Sequence, residues 1–326
     1  MTAPRTVPLR VATRGSEQAR AQAGHVAERL TAATGRPVEL VLIETTGDRV
    51  RDRPIWEIGG QGVFTKEVQN AVIEGRADIA VHSAKDLPSS WTTEGLVLAS
   101  VPERADPRDA LAGVALAALA PGATIATGST RRRTQLAHLR PDLQFVGLRG
   151  NIPTRIARAD APDVDAVVVA VAGATWVGLA DRLADVFEVS TMVPQVGQGA
   201  LAIECRADDA ATREAVAAIE HAASRRRVDA ERAFLAHLGG GCELPVGAHA
   251  TIDGHGRLHV VALIASADGR EVVRGAAEGD DPSVGASLAA RLLADGGHLL
   301  QPRLRRRSAG DAPEPVATAR TSLAGR

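Results

Sequence analysis

Three glycines lead into a thiol at Gly239-Gly240-Gly241-Cys242, and the thiol sits in no metal-ligand or redox spacing. Glycine lets a backbone take positive φ and lets another molecule come close, and a thiolate can be alkylated to a stable thioether. Cys242 reads either as a thiol presented for covalent attachment or as a small inert cysteine in a turn, and the segment alone leaves both open. The other cysteine, Cys205, lies in the strand-like run Ala202-Ile203-Glu204-Cys205 and is expected to be a buried thiol.

A second group is Val81-His82-Ser83-Ala84-Lys85-Asp86-Leu87-Pro88, directly after a short apolar strand. Ligands of open α/β sheets collect outside the carboxyl ends of strands, so a site would be built here. Asp86 is the single carboxylate in the run, suited to proton transfer or to stabilising a cation that develops in a transition state. The plainer alternatives are a turn cap for Asp86, an exposed ion-pair partner for Lys85 and a packed or solvated strand residue for His82.

Arginines at helix starts form the third group. Ser129-Thr130-Arg131-Arg132-Arg133 opens one predicted helix after a strand, and Arg149-Gly150-Asn151-Ile152-Pro153-Thr154-Arg155 opens another, with Asn151 as N-cap and Pro153 in the first turn. Arg14, ahead of Gly15-Ser16, repeats the arrangement. Each combines a guanidinium with the free N–H groups and positive dipole end of a helix. Three equivalent placements point to a ligand with several carboxylates or phosphates, which arginine binds bidentately. A solvated charge at a helix end is the alternative for any one of them. Arg225-Arg226-Arg227 and Arg305-Arg306-Arg307 follow no strand and read as solvent-facing.

The elements that must position these groups alternate. Leu9–Ala12 reads as a strand, Ala19, Ala23, Val26, Ala27 and Leu30 as a helix face ending at Gly35, and Val38–Glu44 as a strand. A helix over 65–74 follows, then strands at Ile79–Val81 and Leu96–Val101. This β-α-β grammar predicts a parallel or mixed sheet with helices on both faces. The charged, proline-bearing stretch 102–108 suits a hinge. After it the grammar restarts with strands at Thr124–Thr127, Leu143–Leu148 and Ala166–Val171 and helices from Arg131 and Asn151. Val193–Gly199 is a second Pro/Gly passage where the chain could cross back. The rest, with helices near 228–238 and 284–294 and strands near 248–251 and 258–264, reads as a smaller α+β module, and 303–326 as a disordered tail.

The 326 residues exceed one hydrophobic core, so two or three domains are expected. Aromatics make up only 2% with no tyrosine, so aromatic stacking is excluded as the main way of holding a ligand. A net charge of −1 removes the case for a general nucleic-acid or membrane-surface binder, and any anion site must be local. Two cysteines 37 residues apart are poor for zinc and too few for a disulfide scaffold, which fits a reducing cytoplasm. The amino terminus lacks the apolar run of a signal peptide, and the apolar stretch 166–180 is broken by Gly173, Thr175 and Gly178, so a soluble protein is expected. With no heptad and no long apolar stripe, a monomer is the default.

These motifs resemble the porphobilinogen deaminase (hydroxymethylbilane synthase) family from about Leu9 to about Leu300. The resemblance rests on Ala12-Thr13-Arg14, Ala77–Pro88, Leu148–Asn151, Val196–Ala200, Glu204-Cys205-Arg206, Ala230-Glu231-Arg232-Ala233 and Gly240-Gly241-Cys242, in that order. It implies an α/β fold with two lobes like those of type II periplasmic binding proteins around a cleft, plus a small α+β C-terminal domain. Domain 1 would be 1–101 with 196–218, domain 2 102–195, and the cofactor-bearing domain 219–302. It implies a dipyrromethane cofactor bound covalently through Cys242, and a transferase that deaminates four porphobilinogen units, condenses them head to tail and releases hydroxymethylbilane by hydrolysis. By the same resemblance Asp86 is catalytic. Ser83, Lys85, Thr127, Ser129, Arg131, Arg132 and Arg155 hold the cofactor, and Arg14, Ser16, Arg149 and Arg155 meet substrate carboxylates. No metal is implied.

Two departures stand out. The glycine loop reads Glu57-Ile58-Gly59-Gly60-Gln61-Gly62 where many members carry lysines, although Lys66 is near, and a position that is often arginine is Trp176. Two other classes stay open on the residues alone. One is a non-catalytic binder of a small polyanion; the other is a cysteine hydrolase using His237 to activate Cys242.

Overall fold

The computed structural model describes residues 7–49, 62, 64–89, 93–240 and 244–300. Cys242, the Glu57–Gln61 loop and the 303–326 tail lie outside the described residues.

β1 (Leu9–Arg14) leads to α1 (Glu17–Thr34), whose N-cap Ser16 accepts the Ala19 N–H. The helix stops where Gly35 takes φ 68° and its N–H bonds the Thr31 carbonyl. Its apolar face, Ala23, Val26 and Leu30, packs on Leu9, Val11, Ile79 and Ile203. Each fully buried valine, leucine or isoleucine among them contributes about 1.5–3 kcal/mol. β2 (Val38–Ile43), a short α2 (Thr46–Arg49), α3 (Lys66–Ile73), β3 (Ile79–Ser83) and β4 (Leu96–Ser100) follow.

The chain then leaves for a second sheet. It forms β5 (Asp109–Gly113), β6 (Thr124–Ala126), α4 (Thr130–Leu139), β7 (Gln144–Val146), α5 (Ile152–Ala157), β8 (Ala166–Ala170), α6 (Val171–Trp176) and β9 (Leu183–Val186). It returns as β10 (Leu201–Arg206) and α7 (Ala210–Ala217). The first sheet has the order β2-β1-β3-β10-β4 and the second β7-β6-β8-β5-β9. The two orders correspond. In each, the strand beside a crossover lies antiparallel next to the third strand of its lobe, β10 against β3 and β5 against β8, while β1, β2 and β3, or β6, β7 and β8, run parallel. The carboxyl ends of the parallel strands are where both lobes place their chemistry.

α8 (Ala222–Leu238), β11 (Val246–Ile252), β12 (Leu258–Ala265), β13 (Val272–Gly279) and α9 (Val284–Leu292) make a third unit with an antiparallel three-stranded sheet. Its core joins Phe234 and Leu238 of α8 to Val260, Ile264, Leu288 and Leu292.

Two glycines bring the two crossovers together. A Cβ at Gly199 (φ 82°) would meet the Ala105 carbonyl oxygen at 2.6 Å, and one at Gly197 (φ 72°) the backbone of Ala84 and Lys85 at 3.1 Å. The return crossover therefore lies against both the outgoing one and the Lys85 turn, a closeness no side chain would permit. The strands β5, β9 and β13 and the helices α6 and α7 are not evident in the sequence pattern. β5, Asp-Ala-Leu-Ala-Gly, carries no β-branched residue and owes its strand to pairing with β8 and β9.

Candidate active site

The Asp86 segment comes off the end of β3. Ala84–Asp86 form a single 3-10 turn, and the Ser83 hydroxyl donates to Gln22 of α1 at 3.2 Å. Arg232, from α8, braces the turn at both ends by donating to the Ala84 carbonyl at 3.5 Å and to the Pro88 carbonyl. Lys85 Nζ donates to Gln198 Oε1 at 3.3 Å. Burial, then the nearby Arg132, outweigh the pull of Asp86 and Asp109 and bring the Lys85 ammonium down to about 8. No described residue hydrogen-bonds or ion-pairs the half-buried Asp86 carboxylate. At the end of β1, the Arg14 guanidinium lies over the Phe64 ring, 4.2 Å from its centroid, and Ser16 is the N-cap of α1.

The second lobe supplies the cations. Ser129 is the N-cap of α4 and accepts the Arg132 N–H at 3.4 Å, while Thr127 Oγ1 accepts the Ser129 N–H at 3.2 Å. Arg131 and Arg132 point inward and are buried. Arg131 Nη1 meets Asp109 Oδ2 at 2.7 Å and the Val193 carbonyl at 2.7 Å, and Arg132 Nη2 meets Asp109 Oδ1 at 2.8 Å. Burial alone would raise the Asp109 carboxyl, but the two guanidiniums hold it well below the carboxylate range. One carboxylate between two guanidiniums leaves donors over: Arg131 Nε and Nη2 are buried with no hydrogen-bond partner among the described residues. A cavity of about 20 Å³ beside them is walled by Ser129, Arg131, Gln195, Leu235 and Leu244, two residues past Cys242 in the chain.

Asn151 caps α5 by accepting the Thr154 N–H at 3.0 Å. Arg149 stands exposed before it. Arg155 Nε donates to the Gly150 carbonyl at 2.7 Å. Its pKa falls to about 10 because of burial, then Arg132 and Arg149, with Asp86 opposing. Arg155 of the second lobe and Asp86 of the first thus share one electrostatic field. Five cations, Lys85, Arg131, Arg132, Arg149 and Arg155, are coupled to one another and to two carboxylates, Asp86 and Asp109, of which Asp109 is already committed. Burial, and then the neighbouring Arg132, lower both Lys85 and Arg155, so like charges crowd this part of the site.

Sequence reasoning missed the residues that hold this cluster. Gln198 donates to Asp109 at 2.9 Å and to the Pro107 carbonyl at 2.8 Å while accepting from Lys85, and so joins both crossovers to the Lys85 turn. Arg104 and Glu231 form a buried bidentate pair at 2.6 and 3.1 Å. Glu231 also accepts the Gly197 and Ala250 N–H groups at 2.8 and 2.9 Å and faces His249 at 3.4 Å. Arg104 was visible only as hinge charge, and Asp109, just past that stretch, drew no reading. Glu231 and Gln198 lay inside motifs that carried the resemblance without a role.

Three other expectations meet the structure here. His82 is packed, 3.1 Å from the buried Glu204. Cys205 is fully buried, and burial, then Asp209, push its thiol up to about 11. Arg225–Arg227, read as solvent-facing, are instead half-buried: Arg225 donates to the Leu98 carbonyl, Arg226 to the Asp280 carbonyl and Arg227 to Ser224, because α8 packs between lobe 1 and the third unit. His237 is exposed in the last turn of α8, and Gly239 ends that helix at φ 62°. Among the described residues no group of three or more His, Cys, Asp and Glu could hold a metal ion.

The arrangement is that of a two-lobed α/β protein with a polycationic site where facing strand ends meet. Residues 9–214 match the porphobilinogen deaminase dipyrromethane cofactor binding domain, and 225–294 match the porphobilinogen deaminase C-terminal domain. Relatives named porphobilinogen deaminase include one from Pelobacter propionicus, 44% identical over 298 residues, with 90% of this chain and 96% of the relative covered. Another, from Thermobifida fusca, is 48% identical over 273 residues, covering 82% and 85%. The chain belongs to the porphobilinogen deaminase family, and its first two lobes are that family's dipyrromethane-binding domain.

Among solved structures, a periplasmic substrate-binding protein of an ABC transporter from Coxiella burnetii aligns with a TM-score of 0.41 at 15% identity, over 67% of this chain and 94% of that one. The GluR0 ligand-binding core in complex with L-glutamate aligns with a TM-score of 0.37 at 11% identity, over 66% and 91%. The fold is α/β, with two lobes whose five-stranded sheets have matching strand orders and a small α+β C-terminal unit.

The donor set fits the cofactor. A dipyrromethane brings several carboxylates and pyrrole N–H donors. The orphaned buried donors of Arg131 and the surplus cations suit the former, and the free Asp86 carboxylate suits the latter.

Proposed function

We propose that this chain is a transferase that deaminates four porphobilinogen units in turn, condenses them head to tail on a dipyrromethane thioether-linked to Cys242, and releases the linear tetrapyrrole by hydrolysis. The carrying observation is Asp86: a carboxylate with no described partner, inside a ring of cations drawn from both lobes. The bound dipyrromethane supplies the electron-rich pyrrole carbon that the first unit joins.

The chain's own residues do the rest. Arg131, Arg132, Lys85, Ser83, Thr127, Ser129 and Arg155 hold cofactor carboxylates, and Arg14, Ser16, Arg149 and Arg155 orient those of the substrate by paired N–H donors. Asp86 accepts pyrrole N–H groups and opposes the positive charge left on the substrate as ammonia departs, an electrostatic role that needs an unpaired carboxylate. We place the domain boundaries at the two crossovers and near residue 219, and the working form as a cytoplasmic monomer without metal or nucleic-acid partners. No described helix is long and apolar enough to cross a membrane.

Intact mass of the purified protein tests the reading. The parent should carry the mass of a dipyrrole and Cys242→Ser should not. Asp86→Asn, which keeps shape and loses charge, should retain the adduct while turnover falls about 10²-fold or more. A parent without the added mass would point instead to a binding protein. Near-parental turnover in Asp86→Asn would move the cation-stabilising role elsewhere.

A further inference from the structure

Away from the crossovers the lobes touch at a second place. Trp176, the last residue of α6 in lobe 2, packs on the core of lobe 1 that contains Val26 and Leu30. Its ring meets His25 of α1 edge-on, with centroids 5.1 Å apart and planes at 61°. Gln18, Gln22 and His25 are spaced four and three residues apart on one face of α1. Gln22 holds Ser83 through its hydroxyl, and a Cβ at Gly173 of α6 would stand only 3.6 Å from Gln18 Oε1. At the same point α6 touches α5: that Cβ would lie 3.1 Å from Ile152 Cδ1. One continuous run of contacts therefore passes from Ser83, beside Asp86, through α1 and α6 to the helix that bears Arg155.

We propose that Trp176 and His25 form an interlobe latch, acting as positioning residues that set the spacing between Asp86 and the Arg149–Arg155 wall and that release as the bound chain lengthens. The proposal rests on the function argued above, in which one site must receive four units in succession. The cations are fixed to strand ends and helix caps, so added length has to be taken up where the lobes meet. The crossover end is tied by buried charges. The α1–α6 end is an edge-on ring contact with no ion pair in it among the described residues, and an aromatic edge contact shifts a two-state ratio only about two- to tenfold. It is strong enough to bias the lobes and weak enough to open during turnover.

The test uses holoenzymes of the parent, Trp176→Ala, His25→Ala, the double variant and Trp176→Phe, each given a few equivalents of porphobilinogen. Intact mass then reads the distribution of enzyme-bound chains, and small-angle scattering without substrate reads the radius of gyration. Each alanine variant should raise KM for the first addition about two- to tenfold, shift bound chains toward the longer species and enlarge the radius of gyration. The double variant should match the singles, and Trp176→Phe should restore the parental distribution. Parental distributions and dimensions in both alanine variants would overturn the latch, as would additive effects in the double variant. A parent that gains no mass in porphobilinogen steps would overturn the function itself, while scattering on the same set would still decide the latch.

Discussion

At the crossover end of the molecule, Arg104, Glu231, Gln198 and Asp109 lie almost wholly out of water and bind one another and the backbone of both crossovers. At the far end, two half-buried rings, His25 and Trp176, meet edge-on. Both ends join the same two lobes, and their physics differs. A buried charge network gains little net stability over an apolar core but is intolerant of a missing member, so it specifies one path for the chain. An aromatic edge contact tolerates separation and re-forms. The end that carries the covalent connections is wired rigidly, and the end that must yield is held by dispersion and ring electrostatics.

The heaviest blow to the wired end is Glu231→Gln. It strips a bidentate arginine and two backbone N–H groups of their common anion and leaves Arg104 buried and uncompensated, a change worth about 3–5 kcal/mol. Burial raises the Glu231 carboxyl, but Arg104 and His249 more than offset it and hold it below its ordinary 4.5. The stabilisation is therefore complete above that value and is lost as pH falls. Denaturant midpoints of parent and variant should be far apart at pH 7 and converge in acid. Equal midpoints at pH 7 would mean that the crossovers are held by something else.

That node was nearly illegible in the sequence, and the reason is distance. Arg104 and Glu231 are 127 residues apart, and each stands among other charges that read as hinge or as solvated helix. Asp109 lies one residue past the charged hinge and drew no notice, because its partners Arg131 and Arg132, 22 and 23 residues on, reach it only in the fold. The elements with local signals were legible. α1 shows its apolar spacing, its serine cap and its terminal glycine, and the Asp86 run follows an apolar strand. The arginines at helix starts were found because strand, cap and cation are contiguous. Their inward neutralisation by Asp109 was not, and neither was the turn of Trp176 onto the other lobe.

Lys85 sharpens the comparison, because it reaches the wired end through Gln198 yet faces the cations of the site. Its folded pKa of about 8 lies below its ordinary 10.5. The buried ammonium therefore disfavours folding of the cofactor-free chain below about pH 8, and the penalty fades as pH rises toward 10.5. Each tenfold weakening of proton binding corresponds to about 1.4 kcal/mol, so Lys85→Met should stabilise the cofactor-free chain at pH 7 by roughly 1–3 kcal/mol. The gain should vanish near pH 10.5. The same variant should retain less dipyrrole by intact mass. A variant less stable than the parent at pH 7 would show that the contacts Lys85 makes, Gln198 among them, outweigh the burial of its charge.

At the yielding end, Trp176→Ala should cost the folded chain only about 0.5–1.5 kcal/mol beyond the loss of buried ring area. Because the ring is only half-buried, the total with the lost ring area should still stay below the Glu231→Gln loss by the same denaturant measurement. A cost as large as that of Glu231→Gln would make the two ends mechanically alike and remove the contrast.

The smallest effect is expected at Arg226, which shares α8 with Glu231. The two are five residues apart and point different ways: Glu231 faces the crossovers, whereas Arg226 is half-exposed and donates one hydrogen bond to the Asp280 carbonyl of the third unit. An exposed hydrogen bond of this kind exchanges with water at little net cost, so Arg226→Ala should change stability by within about 0.5 kcal/mol. It should leave the dipyrrole adduct and turnover at parental levels, because nothing connects Arg226 to Arg104, Gln198 or the Lys85 turn. A loss of turnover with the adduct intact would show that α8 transmits strain along its length to Arg232 and the Asp86 turn. In that case the wired end would extend beyond its buried charges into the third unit.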